Sequence, residues 1–202
     1  MRGHANSRVP LSQPTGVGHF LSGFSPSRCA ARDVAFLCCR VVGWSEPCGD
    51  DQCEALLEDW DQSLAHRHTD LRTPAAAQQT VELLAKKHGV VGGKWMLFPA
   101  LGEEADAAWD ATVRAVAEGL LGPWVKISSV APGMRSHVLF AYTSDFTDRA
   151  DVERVRGELA TRVLPLLADR RMQYKADCFS ILGIYKGNDF GLRPTMFDWK
   201  PS

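Results

Sequence analysis

Two β-rich runs, residues 124–130 and 137–143, are joined across the turn Ala131-Pro132-Gly133. A parallel pair would need a crossover of about a dozen residues or more, so this connection returns the chain antiparallel. Around that hairpin, β-rich runs and helical periodicities alternate. Residues 34–42 form an apolar, β-branched and cysteine-bearing run broken by Gly43-Trp44-Ser45-Glu46-Pro47. From Asp51 the apolar spacing turns helical through Cys53, Leu56, Leu57, Trp60 and Leu64, with Asp51 and Glu54 as its capping pair. A second helix begins near Pro74, carries Ala77, Val81, Leu84 and His88 on one face, and stops at Gly89.

A short strand at residues 94–98 follows Gly92-Gly93. A strongly amphipathic helix then spans about residues 103–121, with Trp109, Val113, Val116 and Leu120 inward and acids in its first turn. Beyond the hairpin, Asp148 with Asp151 opens a helix bearing Val152, Val155, Leu159 and Val163. Residues 172–185 alternate as one long strand, and residues 195–199 as a last short one. The order is strand, helix, helix, strand, helix, strand, strand, helix, strand, strand. That predicts an α+β fold: a curved, mainly antiparallel sheet with helices packed on one face and the other face free for a ligand.

Charge divides the chain. Four of the 23 Lys and Arg residues, but none of the 24 acids, precede residue 33. Residues 33–202 therefore hold 19 bases against 24 acids. The Arg- and Ser-rich start at residues 1–33 reads as a disordered tail or an organelle-targeting segment, and residues 34–202 as a single domain. No apolar run approaches the roughly 20 residues of a membrane span, and a net charge of -1 gives no broad footprint for nucleic acid. A nucleic-acid site here must be a local pocket. Without an export signal, the six cysteines read as reduced thiols and the compartment as cytoplasmic, or an organelle if residues 1–33 direct it there.

No motif names a chemistry. Cys48-x4-Cys53-x12-His66-x-His68 imitates a zinc finger, but one residue between the histidines turns their rings about 200° apart on a helix, so no metal is expected. Phosphate loops, cofactor fingerprints and a nucleophile elbow are absent from the sequence. The polar cluster Asp145-Phe146-Thr147-Asp148-Arg149 is either a functional loop or a helix start, and the helix start is favoured. Trp95 and Trp109 sit on apolar faces and read as core. Trp44 is the candidate exposed stacking ring. Trp60 is core or an anchor for a partner peptide. Lys126, Arg135, Lys175 and Lys186 lie on or near strands and are the candidate contacts for an anion.

Four strings in order carry a resemblance: Gly93-Lys94-Trp95, then Tyr142-Thr143-Ser144-Asp145-Phe146-Thr147-Asp148-Arg149, then Leu182-Gly183-Ile184-Tyr185-Lys186, then Pro194-Thr195-Met196-Phe197. Together they resemble the basophilic-leukaemia-expressed (Bles) family, an uncharacterised family with a fold like that of the cap-binding translation initiation factor 4E. The resemblance runs from about residue 81 to 199. It implies a ligand site on the concave face of the sheet and a peptide site on the convex side, with Trp60 roughly where the factor offers a tryptophan. Where cap recognition would place its second stacking ring, this chain has Lys86-Lys87-His88-Gly89-Val90-Val91.

The expectation is a non-enzymatic RNA- or nucleotide-binding protein without a cofactor, using Lys126, Arg135, Lys175, Lys186 and Trp44. The alternative is a protein-interaction module that meets a peptide through Trp60.

Overall fold

The computed structural model describes residues 14–41, 48–65 and 73–201. Its centre is one six-stranded sheet in the order β1-β3-β4-β2-β5-β6, antiparallel throughout. The strands are β1 (Phe36–Arg40), β2 (Gly93–Leu97), β3 (Trp124–Ser128), β4 (Leu139–Thr143), β5 (Met172–Ala176) and β6 (Phe197–Trp199). The helices are α1 (Pro14–Gly23), α2 (Asp50–Ala65), α3 (Pro74–Lys87), α4 (Glu103–Ala117), α5 (Arg149–Arg162) and α6 (Asp177–Ile181). The expected α+β class and antiparallel sheet are both present.

Side chains alternate across a strand, so register decides which residues share a face. Leu37, Ile127, Leu139 and Leu97 form one transverse row, and Cys39, Val125, Ala141, Trp95 and Tyr174 a second. All nine are buried, and they face α4 and α5. Trp95 Nε1 donates to the Val152 carbonyl of α5 at 3.0 Å, which satisfies a polar atom deep in the core. Trp109, Val113 and Val116 bring α4 onto the same face, as the periodicity predicts.

Local signals set most of the ends. Asp148 caps α5 by accepting from the Asp151 N–H at 3.1 Å, so the favoured helix-start reading of the Asp145–Arg149 cluster holds. Gly89, at φ 70°, closes α3. Gly122 has a different reason to be glycine: a Cβ there would stand 1.7 Å from the Tyr142 carbonyl oxygen. The α2 capping pair shifts by two residues, since Gln52 Oε1 accepts from the Gly49 N–H at 2.6 Å.

Two expectations are corrected. Residues 172–185 are not one strand: β5 stops at Ala176, α6 follows, and Gly183 (φ 69°) turns the chain away. Residues 14–33 are not a detached tail. Pro14 opens α1, a position where its missing N–H costs nothing, and Val17 and Phe20 are buried in the main core. Phe20 lies 6.2 Å from the Trp109 ring, and Asp106 accepts from both the Ser27 N–H and its hydroxyl.

Candidate functional site

On the opposite face of the sheet, α6 packs against β2 and β5, and the start of α2 borders the same side. Antiparallel register lines up Cys38, Lys126, Phe140, Met96, Gln173 and Asp198 across this face, and beside them Tyr142, Lys94 and Lys175. Phe36 pairs with Ser128 and Arg40 with Trp124, which puts both on the same side. Along β4, inward Leu139 and Ala141 therefore alternate with outward Phe140 and Tyr142.

Four of these rings surround one ammonium. Lys126 Nζ lies 4.7 Å from the Phe36 centroid, 5.1 Å from Phe140, and 5.4 Å from both Trp124 and Tyr142. All are within the roughly 6 Å over which a ring quadrupole attracts a cation. Trp124 and Tyr142 stack on each other at 3.9 Å with 19° between their planes. Phe36, Trp124, Lys126 and Phe140 are half-buried, so part of each is open to solvent.

At one end this platform deepens into a cleft of about 290 Å³. Lys94, Trp124, Lys126, Tyr142 and Thr143 line it, with Cys48, Asp50 and Cys53 from the start of α2 and Asp177, Ser180 and Ile181 from α6. Lys94 is buried yet charged: its Nζ is paired with the Asp177 carboxylate, stands 3.4 Å from Ser180 Oγ and lies 5.5 Å from the Tyr142 ring.

Next to it on β5, Lys175 donates to the Ile184 carbonyl at 2.9 Å and sits 3.9 Å from the exposed Tyr185 ring. Burial, seconded by the charge of Lys94, pulls the Lys175 ammonium down to about 8. Near neutral pH Lys175 therefore keeps most of its charge. Among the described residues no histidine lines the cleft, and no group of three or more His, Cys, Asp or Glu could hold a metal ion.

The sequence candidates divide. Lys126 and Lys175 converge on this face. Arg135 does not: it sits in the β3–β4 connection at the opposite end of β4, against Ser136, Phe98 and Arg171. Lys186 is an exposed turn residue beyond Tyr185. Trp44 and the histidines of the zinc-like pattern, His66 and His68, lie outside the described residues.

Trp60 is 3% exposed and packs edge-on against Phe190 at 5.0 Å, which makes it core rather than an offered anchor. Sequence reasoning missed Lys94 and the rings Phe36, Phe140 and Tyr142. The signal for Phe140 and Tyr142 was a strand apolar at both alternations, with Leu139 and Ala141 on one and two rings on the other, which a single buried face does not require.

The family model described as basophilic leukemia-expressed protein Bles03 matches residues 55–183. Among solved structures, the complex of C. elegans eIF4E-3 with the 4E-binding protein Mextli and cap analog aligns at 15% identity and a TM-score of 0.39. That alignment covers 46% of this chain and 54% of that one, so it spans about half the length of either.

Proposed function

The chain belongs to the Bles03 family, and from that premise we propose that its open sheet face binds a short stretch of single-stranded RNA, or a nucleotide, without catalysing a reaction. The observation that carries this reading is the ring of Phe36, Trp124, Phe140 and Tyr142 about Lys126, with Lys94 and Lys175 alongside. Unpaired bases are held by stacking on aromatic side chains, and the strand's phosphates by local ammonium groups. Rings that stay half-buried on a sheet lose little freedom when a base covers them. Lys186 and Trp44 remain proposed peripheral contacts. Six cysteines with no disulfide framework suit a reducing compartment, so we place the protein in the cytoplasm. No helix among the described residues is long and apolar enough to cross a membrane.

The test is fluorescence anisotropy of a labelled single-stranded RNA and of a methylated cap analogue at two salt concentrations. Losing a stacked ring costs about 1–3 kcal/mol, so Phe140→Ala should weaken RNA binding about 5- to 150-fold. Lys126→Ala should weaken it and flatten the salt dependence by about 0.7 for each phosphate left without its ammonium. No retention by the parent chain, or retention by both variants equal to it, overturns the reading.

A second reading is favoured by a different observation. Leu57 and Leu64, two turns apart on α2, and Leu83 on α3 are exposed. A peptide partner would meet these leucines rather than Trp60, and Leu57→Asp with Leu83→Asp would abolish its capture without touching the sheet.

A further inference from the structure

Two sulfurs stand together in the wall of the cleft. Cys48 Sγ and Cys53 Sγ are 3.5 Å apart, both half-buried and both lining the cleft that holds Lys94 and Lys126. The residue after Cys48 is bonded to the first turn of α2: Gly49 donates to Gln52 Oε1 at 2.6 Å, and Cys53 donates to the Gly49 carbonyl at 3.2 Å. A disulfide bond is about 2.05 Å long, so the pair needs only about 1.5 Å of approach.

The remaining cysteines contrast with it. Cys39 and Cys178 are buried in the core, where burial pushes their thiols up to about 12 and keeps them protonated at neutral pH. Cys29 is raised as well, by burial and by the acids Asp106 and Asp33. Cys38 is on β1, in register with Lys126.

We propose that Cys48 and Cys53 are a reversible dithiol–disulfide pair, so that the cleft wall exists in two covalent forms. The oxidant is a small disulfide such as glutathione disulfide. One protein thiolate attacks a sulfur of the reagent, whose S–S bond breaks to release a glutathione thiolate and leave a mixed disulfide. The second protein thiol, having given its proton to solvent, attacks the protein sulfur of that mixed disulfide and expels the second glutathione thiolate. The protein gives up two electrons and two protons, and the reagent takes them up as two thiols. Transient pairs of this kind are the form in which disulfides occur in reducing compartments.

The full chain is equilibrated in glutathione buffers of graded potential, its thiols are trapped with N-ethylmaleimide, and the fragment carrying both residues is weighed. In oxidising buffer that fragment should be lighter by two hydrogens and unalkylated, and dithiothreitol should reverse the change. Cys53→Ser should carry a glutathione adduct on Cys48 instead, while Cys38→Ser should behave as the parent. Reduced chain should also capture phenylarsine oxide, which needs two neighbouring thiols, and Cys48→Ser should not.

Continued alkylation of both sulfurs at saturating glutathione disulfide overturns the proposal. So does pairing of Cys48 with any other cysteine. The covalent readout does not depend on RNA: if the disulfide forms but neither form retains RNA, the open-face reading fails and the pair stands.

Discussion

Replacing Asp177 with alanine isolates an ion pair whose lysine is buried. Lys94 is 8% exposed, and the Asp177 carboxylate is its one anionic partner among the described residues, with Ser180 and the Tyr142 ring as weaker company. The neighbouring Lys175, whose own ammonium is lowered by burial and then by the charge of Lys94, adds a like charge. Removing one member of a buried pair leaves an uncompensated charge and costs about 3–5 kcal/mol. The Asp177 side chain keeps 25% of its surface, so water offsets part of that, and the expected cost of Asp177→Ala is about 2–3 kcal/mol. For a chain of this size that lowers Tm by roughly 4–12 °C.

Lys94→Met removes the charge that needs a partner, so the double variant Lys94→Met, Asp177→Ala should recover at least half of the loss. Urea unfolding followed by circular dichroism on the four proteins closes the cycle. If Asp177→Ala alone costs under about 1 kcal/mol, or the coupling falls under about 0.5 kcal/mol, the claim that α6 is pinned to β2 by this pair is wrong.

Gly122→Ala should cost more than about 2 kcal/mol or prevent folding, because its Cβ would overlap the Tyr142 carbonyl oxygen; thermal melting against Gly133→Ala, which meets only open space, separates the clash from strain at a left-handed φ. Phe20→Ala should cost about 3–5 kcal/mol if α1 belongs to the core, and a chain starting at residue 34 that melts at the parent's Tm would refute that. The lowered Lys175 ammonium fixes the sign of a pH effect. Between about 8 and its ordinary value of 10.5 the unfolded chain binds a proton there that the folded chain does not, so stability rises with pH across that window. Relative to Lys175→Met, the parent should gain up to about 1.4 kcal/mol per pH unit there and nothing below pH 7; a flat difference contradicts the assignment.

Much of this architecture was legible because local chemistry and tertiary demand agree. The Trp109–Val113–Val116 stripe, the Asp148 cap and the Ala131-Pro132-Gly133 turn each say locally what the fold needs globally. Two elements escaped. In α1 the prolines at 10, 14 and 26 read as breakers, although one at the first helical position opens a helix instead. In α6 the run Asp177-Cys178-Phe179-Ser180-Ile181 fits either period, and its ends are set by tertiary contacts such as Asp177 with Lys94.

The site was half legible for a related reason. Lys126 and Lys175 announce themselves by lying on strands, but their company depends on pairing partners 14 and 81 positions away on the chain, namely Phe140 and Lys94. Arg135 had the right charge on a connecting segment that the fold directs elsewhere.

The strand order has a consequence for the time at which that face comes into being. Only β3 and β4 are joined by a short connection; β1 waits for β3 across more than eighty residues, and β2 cannot gain its second neighbour until β5 is made. Pairings so distant along the chain are slow to close. During synthesis from the N-terminus, β2 therefore spends the emergence of α5 with one edge unpaired, and an unpaired edge is a template for other strands. Lys94 sits on that edge. It brings a charge to β2 before Asp177 has emerged to pair with it, and charged side chains on an unpaired strand discourage stray pairing. The residue that later furnishes the cleft is, for the growing chain, a guard on its own central strand.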